Sequence, residues 1–204
     1  MSSRAKPKFN TRYLVVTAML SAVAFVLMLL EFPLPMLIPG FIKMDLSDLP
    51  ALIGSFSLGP LSGVIISVMK NLLNVVITGT TTGCVGELSN ALMGAVFSAV
   101  AGLIYKMHKN RNHAIIGSVV GAVAMGLISF PINYFVTYPL YANLFGGMET
   151  ILGAYQAILP SVDNIVQCLI IFNVPFTAVK GLLCALICFF IYKPLSPVLH
   201  GRKN

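Results

Sequence analysis

Two lysines stand where lysines are costly. Lys70 and Lys180 each lie near the middle of a long apolar run. An ionisable side chain in a membrane span costs about 3 kcal/mol on insertion scales, so it faces a cavity or a partner. Asn74 follows Lys70 by one helical turn, and Asn173, Thr177 and Lys180 follow an i, i+4, i+7 pattern that puts all three on one helical face. Glu87 and Asn90 share a face at the start of another run. Asn133 follows Pro131, with Tyr134, Thr137, Tyr138 and Tyr141 beyond it. These groups can converge on one pocket with Lys180 as its strongest member. Lys70 reads as structural instead, paired with Glu87 or with helix carbonyls, and asparagines can equally staple helices together. Amides and hydroxyls that both donate and accept, set among Leu, Ile, Phe, Met and Tyr, suit a largely uncharged, aromatic, hydroxyl-bearing molecule better than a phosphate or a dicarboxylate.

Other chemistries lack their residues. No Gly-Lys-Ser/Thr phosphate loop occurs, so the chain cannot by itself couple ATP hydrolysis to work. His108, His113 and His200 sit in basic segments without acidic or Cys ligands beside them, which argues against a metal. Cys84, Cys168, Cys184 and Cys188 have no paired C-x-x-C spacing and read as small hydrophobes. No nucleophile and base stand in a catalytic arrangement, so the expectation is no enzyme and no cofactor.

The elements that must hold these residues are membrane helices. Of 204 residues 57% are hydrophobic and 9% charged, a composition for an all-α integral membrane protein. The net charge of +7 does not signal nucleic acid, because ten of the thirteen Lys and Arg fall in three short segments between or outside apolar runs. A span needs about 20 apolar residues. Clean runs are Tyr13 to Leu30, Leu88 to Tyr105, Ala114 to about Leu140, and about Ile165 to Tyr192. Leu49 to Thr78, interrupted by Gly59-Pro60 and by Lys70-Asn71, holds one span or two.

Charge bias decides between these, since Lys and Arg near span ends stay cytoplasmic. With six spans the basic groups at 4–12, 106–111 and 193–203 all lie inside, both termini are cytoplasmic, and all six acids fall outside with Lys43. Leu49 to Leu58 is then strained, at ten residues or about 15 Å of helix. Asp48 is placed to cap it, with Pro50 in its first turn.

Residues 1–204 thus form a single domain, with 1–10 a mobile basic tail. The first run is followed by Glu31-Phe-Pro-Leu-Pro and not by a small-residue cleavage site, so it reads as a retained helix. The external segment 31–47 is apolar and stiffened by proline, and can fold back as a lid through Met36, Leu37 and Gly40. Residues 79–86, Gly-Thr-Thr-Thr-Gly-Cys-Val-Gly, offer hydroxyls and backbone to a hydroxylated ligand.

Five stretches carry a family resemblance: Ala18-Met-Leu-Ser-Ala22; Asp45-Leu-Ser-Asp-Leu-Pro-Ala-Leu-Ile-Gly through Gly59-Pro-Leu-Ser-Gly63; Lys70-Asn71-Leu-Leu; Gly86-Glu-Leu-Ser-Asn90; and Phe172-Asn-Val-Pro followed by Lys180-Gly. The sequence resembles the substrate-binding S components of energy-coupling factor (ECF) vitamin transporters over all six spans, most closely the riboflavin-specific ones. The resemblance implies a protein of the bacterial plasma membrane that binds riboflavin from outside and docks on a transmembrane T subunit with two ATP-binding-cassette ATPases. ATP is used only on those partners, and tilting of the S component opens its pocket inward. The family's Ala-x-x-x-Ala docking patch maps onto Ala18 and Ala22, which allow close backbone approach. By the same resemblance Asn133, Thr177 and Lys180 address the pyrimidine-like edge of the isoalloxazine, and Glu87 with loop groups the ribityl hydroxyls. Thr177 departs from the longer polar residue, such as Asn, expected there. Rival readings are an S component for another vitamin or precursor, and a membrane scaffold whose polar stripes are structural.

Overall fold

A computed structural model describes residues 10–200, with side chains from Asn10 to Ile191. The basic tail and the charges at Lys193, Arg202 and Lys203 lie outside the described side chains. In chain order the elements are α1 (Thr11–Leu29), β1 (Phe32–Pro33), β2 (Lys43–Met44), α2 (Leu49–Leu58), α3 (Pro60–Thr78), α4 (Val85–Met107), α5 (Arg111–Ile132), α6 (Tyr138–Phe145), α7 (Met148–Gln156), α8 (Ile165–Cys168) and α9 (Val174–His200). A π-helical turn, Asn133–Thr137, joins α5 to α6, and a second, Leu169–Asn173, joins α8 to α9.

Five helical rods among the described residues are long and apolar enough to cross a membrane: α1, α3, α4, the continuous Arg111–Phe145 rod and the Ile165–Ile191 rod. The sixth apolar helix, α2, has ten residues. It is the centre of the bundle, packed against α1, α3, α4 and α9, and it is buried from Leu49 to Phe56. The outer rods instead turn Met19, Val26, Val76, Phe135 and Phe190 outward, as a lipid-facing surface requires. Gly59, at φ +109°, makes the reversal into α3, which starts on Pro60.

Small residues let these backbones close on one another. A Cβ on Gly63 would stand 2.8 Å from the Ala51 carbonyl oxygen, and one on Gly94 would stand 2.5 Å from Asp48 Oδ1. The Gly94, Ser98 and Gly102 ladder of α4 is therefore spent on packing inside the bundle. Leu52, Ile53, Phe97, Ala122, Met125, Cys184 and Cys188 belong to one apolar cluster; Ile38, Tyr138, Tyr141, Ile151, Tyr155, Val162 and Leu169 form another, nearer the 31–47 segment.

Both π turns share one cause. Each is followed, two residues on, by a proline, Pro139 or Pro175. A proline ring in a helix clashes with the carbonyl four residues back, and widening the preceding turn to i→i−5 bonds accommodates it. Tyr138 N–H accordingly donates to the Asn133 carbonyl, and Val174 N–H to that of Leu169.

The acids do not all lie in solvent-facing loops. Asp45 is 4% exposed and Asp48 is fully buried inside the bundle. Asp48 occupies the N-cap position of α2 but makes no side-chain cap bond. Its Oδ1 accepts instead from Lys70 Nζ at 2.6 Å, and Lys70 also donates to Ser47 Oγ at 2.5 Å. Lys70 therefore pairs with Asp48 and not with Glu87, because the chain dips into the bundle just before α2.

Breaking a buried pair by removing one partner costs about 3–5 kcal/mol, whereas removing both charges costs far less. Lys70→Met should lower the melting temperature of the detergent-purified protein sharply, and adding Asp48→Asn should recover most of the loss. Equal losses in the single and double variants would show that the two residues do not act as a pair.

Candidate functional site

A cavity opens between the two apolar clusters, walled by Met125 of the first and by Ile38, Tyr138 and Tyr141 of the second. Its floor is polar. Lys180 Nζ donates to Asp45 Oδ2 at 2.8 Å and to Asn90 Oδ1 at 3.3 Å, and lies 3.6 Å from Asp48 Oδ2. Ser47 donates both its N–H and its hydroxyl to Asp45 Oδ1, at 2.8 and 2.5 Å. Burial pushes the Asp45 carboxyl up, but Lys180, Lys70 and these bonds outweigh it and hold the group well below the usual carboxylate range.

Of the residues singled out in the sequence, Lys180, Asn133, Thr177, Glu87, Asn173 and Asn90 line this cavity, together with Asn74, Thr137, Tyr138 and Tyr141. They differ in what they have left to offer. Asn133 and Thr177 are 5% and 9% exposed, and no hydrogen bond engages either side chain among the described residues. Buried amides and hydroxyls normally have partners, so these two hold hydrogen-bonding capacity that the described residues leave unused. Asn173 is already engaged: one amide N–H donates to Tyr138 Oη at 2.8 Å, its carbonyl accepts from Tyr155 Oη at 2.6 Å, and the two tyrosines bond each other. Asn173 is thus a clasp between the α8–α9 rod, α6 and α7.

Glu87, in the first turn of α4, accepts from the hydroxyls of Thr80 and Thr82 at 3.1 and 3.0 Å. Those hydroxyls in turn take the Cys84 and Gly86 N–H groups at the helix start, so the 79–86 segment caps α4. Thr81 and Thr82 reach the cavity wall.

Lys70, Met36, Leu37 and Gly40 do not line the cavity. Lys70 lies beyond the floor, occupied by Asp48 and Ser47. Met36 is 88% and Leu37 63% exposed, and Gly40 also faces outward. The segment does fold back, tied by the β1–β2 ladder and a Glu31–Lys43 ion pair, but its register turns Ile38, Phe41 and Ile42 inward. Phe41 meets Tyr141 edge-on at a centroid distance of 5.9 Å and stacks on Phe145. The segment thus meets the cavity through Ile38, Phe41 and Ile42 and not through Met36, Leu37 and Gly40. Asp45 is not singled out in the sequence, although a lysine in a span calls for an acid, because Glu87 and Asp163 stand nearer to the two lysines along the chain.

These features sit in a chain with clear relatives. Residues 12–192 match the family described as ECF transporter, substrate-specific component. The chain belongs to this family. It is 33% identical over 201 residues to the riboflavin transporter RibU of Staphylococcus aureus, covering 98% of each. It is 29% identical over 198 residues to the riboflavin transporter FmnP of Bacillus subtilis, covering 96% of this chain and 97% of that one. A solved structure described as the S component of a bacterial ECF transporter superposes with a TM-score of 0.71 at 31% identity, covering 94% of this chain and 98% of the other. This S component is accordingly a multi-pass protein of the bacterial plasma membrane.

Asn173→Leu in this S component would remove both amide bonds and leave the Tyr138 and Tyr155 hydroxyls only each other, so that one buried O–H donor is unsatisfied at a cost of about 1–3 kcal/mol. The ligand-free protein should melt lower, and Tyr155→Phe should cost less than Asn173→Leu because Tyr138 keeps its bond to the amide. An unchanged melting temperature in Asn173→Leu would show that the clasp carries no stability.

Proposed function

We infer that this chain captures riboflavin on the outer side of the membrane and delivers it inward as the S component of an ECF importer. The observation that carries the reading is a cavity whose floor and wall keep hydrogen-bonding capacity at Asn133, Thr177 and Lys180 while its other walls are apolar or aromatic. An isoalloxazine has that division: a pyrimidine-like edge with carbonyl acceptors and an imide donor, and a flat apolar remainder. Full-length similarity to transporters named for riboflavin supports the same ligand. In this reading the ring edge meets Asn133, Thr177 and Lys180, the ribityl hydroxyls meet Glu87 and the threonines near it, and Asn90 holds Lys180. Ile38 and Phe41 close over the ring from the 31–47 segment.

Six crossings complete the picture, with α2 as a short central one and both termini cytoplasmic. The cation-rich α4–α5 turn, with Lys106, Lys109 and Arg111, supports that orientation. Energy comes from a T subunit and two ATPases, and the chain tilts as a body to release the vitamin. Ala18 and Ala22 are the docking patch. Both are exposed, on a face of α1 other than the one that buries Thr17, Ser21, Ala24 and Met28.

The chain has no Trp, so a bound flavin is read directly from its visible absorption and emission. Lys180→Met alone leaves Asp45 buried without its cation, so the Asp45→Asn/Lys180→Met double variant is the cleaner test. It should stay folded and bind riboflavin roughly ten- to a hundredfold more weakly, since one donor to a buried carbonyl is lost. Wild-type affinity in the double variant would remove Lys180 from the ring edge, and absence of binding to the wild type would refute the ligand.

Docking is tested separately. Ala18→Arg or Ala22→Arg should leave riboflavin binding by the purified protein unchanged and eliminate uptake by whole cells, because a long cation in a close helix contact is both bulky and desolvated. Uptake that persists would refute docking through this face, and loss of both activities would place the alanines inside the bundle's own packing.

A further inference from the structure

The floor of the cavity holds a closed circuit of charge. Lys180 donates to Asp45, Asp45 accepts from Ser47, Ser47 accepts from Lys70, Lys70 donates to Asp48, and Asp48 Oδ2 returns to within 3.6 Å of Lys180. Two ammoniums meet two carboxylates, so the floor carries no net charge. An ammonium has three N–H donors and no acceptor. Lys180 spends one on Asp45 and one on Asn90; the third is uncommitted, with the cavity beside it and Asp48 Oδ2, which has no hydrogen-bond partner among the described residues, 3.6 Å away. The direction of that third donor is set by the other two, and Asp45 supplies the shorter of them.

We propose that Asp45 is a positioning and specificity-determining residue: it aims the Lys180 ammonium at a ligand carbonyl and cancels its charge, so that the site takes a neutral ring imide and not an anion. A bare ammonium would favour the deprotonated imide, or a carboxylate, by direct ion pairing. A compensated one offers a hydrogen bond with little net field, which matches a neutral acceptor and discriminates against charged ligands of similar shape. Asp45 also lies near the end of the 31–47 segment, directly after β2, so the same bond fastens the base of that segment to α9. The idea rests on the riboflavin reading and names which residue gives that site its preference for an uncharged edge.

The test follows the imide proton of bound riboflavin by visible absorption as pH is raised. The groups facing Lys180 are Asp45 from the loop, Asp48 at the start of α2, Lys70 on α3, the neutral Asn90 on α4 and Cys184 on its own helix. Glu31, Lys43 and Glu87 stand elsewhere on the cavity wall. In the wild type, bound riboflavin should lose its imide proton at a pH no lower than the free vitamin does. In Asp45→Asn, the uncompensated ammonium should lower the bound imide pKa by about one unit or more, where one unit corresponds to a tenfold change in the ratio of affinities for the two forms. Asp45→Glu, which keeps the charge, should keep the wild-type imide pKa even if affinity falls.

An Asp45→Asn protein that binds with an unshifted imide pKa would overturn the proposal, since a merely structural role for Asp45 predicts that result. Should Asp45→Asn fail to fold, the wild type still decides: a bound imide pKa well below that of free riboflavin would mean an uncompensated ammonium and would refute charge cancellation. A wild-type chain that takes up no riboflavin overturns the ligand reading itself, and the proposal with it.

Discussion

Two ammonium groups inside an apolar bundle must be neutralised where they stand, and the arrangement of this protein follows from that constraint. Moving an ion of this size out of water has an effective cost of several kcal/mol after relaxation. Lys70 is fully buried and Lys180 nearly so. Neither α3 nor α9 carries an acid along its length among the described side chains, so the carboxylates must come from elsewhere. They come from the four residues Asp45 to Asp48, which leave the surface and enter the bundle between those two helices. One loop thereby serves both lysines, and Ser47 links the two pairs through its hydroxyl.

That entry explains the shortness of α2. Its first turn begins deep in the protein, where Asp48 already meets Lys70, so ten residues suffice to reach the Gly59 reversal. Read from hydropathy alone, the segment is an inadequate span. Its depth is set by charge, which a hydropathy window scores only as an interruption. For the same reason the acids divide by burial: Glu31 and Glu149 are exposed, whereas Asp45 and Asp48 are drawn into the bundle by the two lysines.

Much of the site was nonetheless legible. Asn133, Asn173, Thr177 and Lys180 stand out because a polar group in a run of Leu, Ile and Phe is conspicuous, and helical spacing then predicts which ones share a face. What spacing does not show is whether a side chain still has bonds to give. Asn173 and Asn133 look alike in sequence, yet one is engaged by Tyr138 and Tyr155 while the other faces the cavity with nothing bound to it among the described residues. The inward face of the 31–47 segment was illegible for a related reason. Nonrepetitive chain has no period, and only the pairing of Phe32 with Met44 fixes which residues point in.

The two π turns show how local sequence and site are joined. Prolines at 139 and 175 each force a widened turn just upstream, and the residues of those turns include Asn133, Thr137 and Asn173, all on the cavity wall. A widened turn adds one residue without adding a full step of rotation, so side chains after it are re-aimed relative to those before it. On the Ile165–Ile191 rod this happens immediately before Thr177 and Lys180, the two groups that meet the floor. On the Arg111–Phe145 rod it happens immediately before Tyr138 and Tyr141, the aromatic wall. The prolines therefore do for the long rods what the buried aspartates do for α2: each departs from the regular element that hydropathy predicts, and each departure brings a polar or aromatic group to the same cavity.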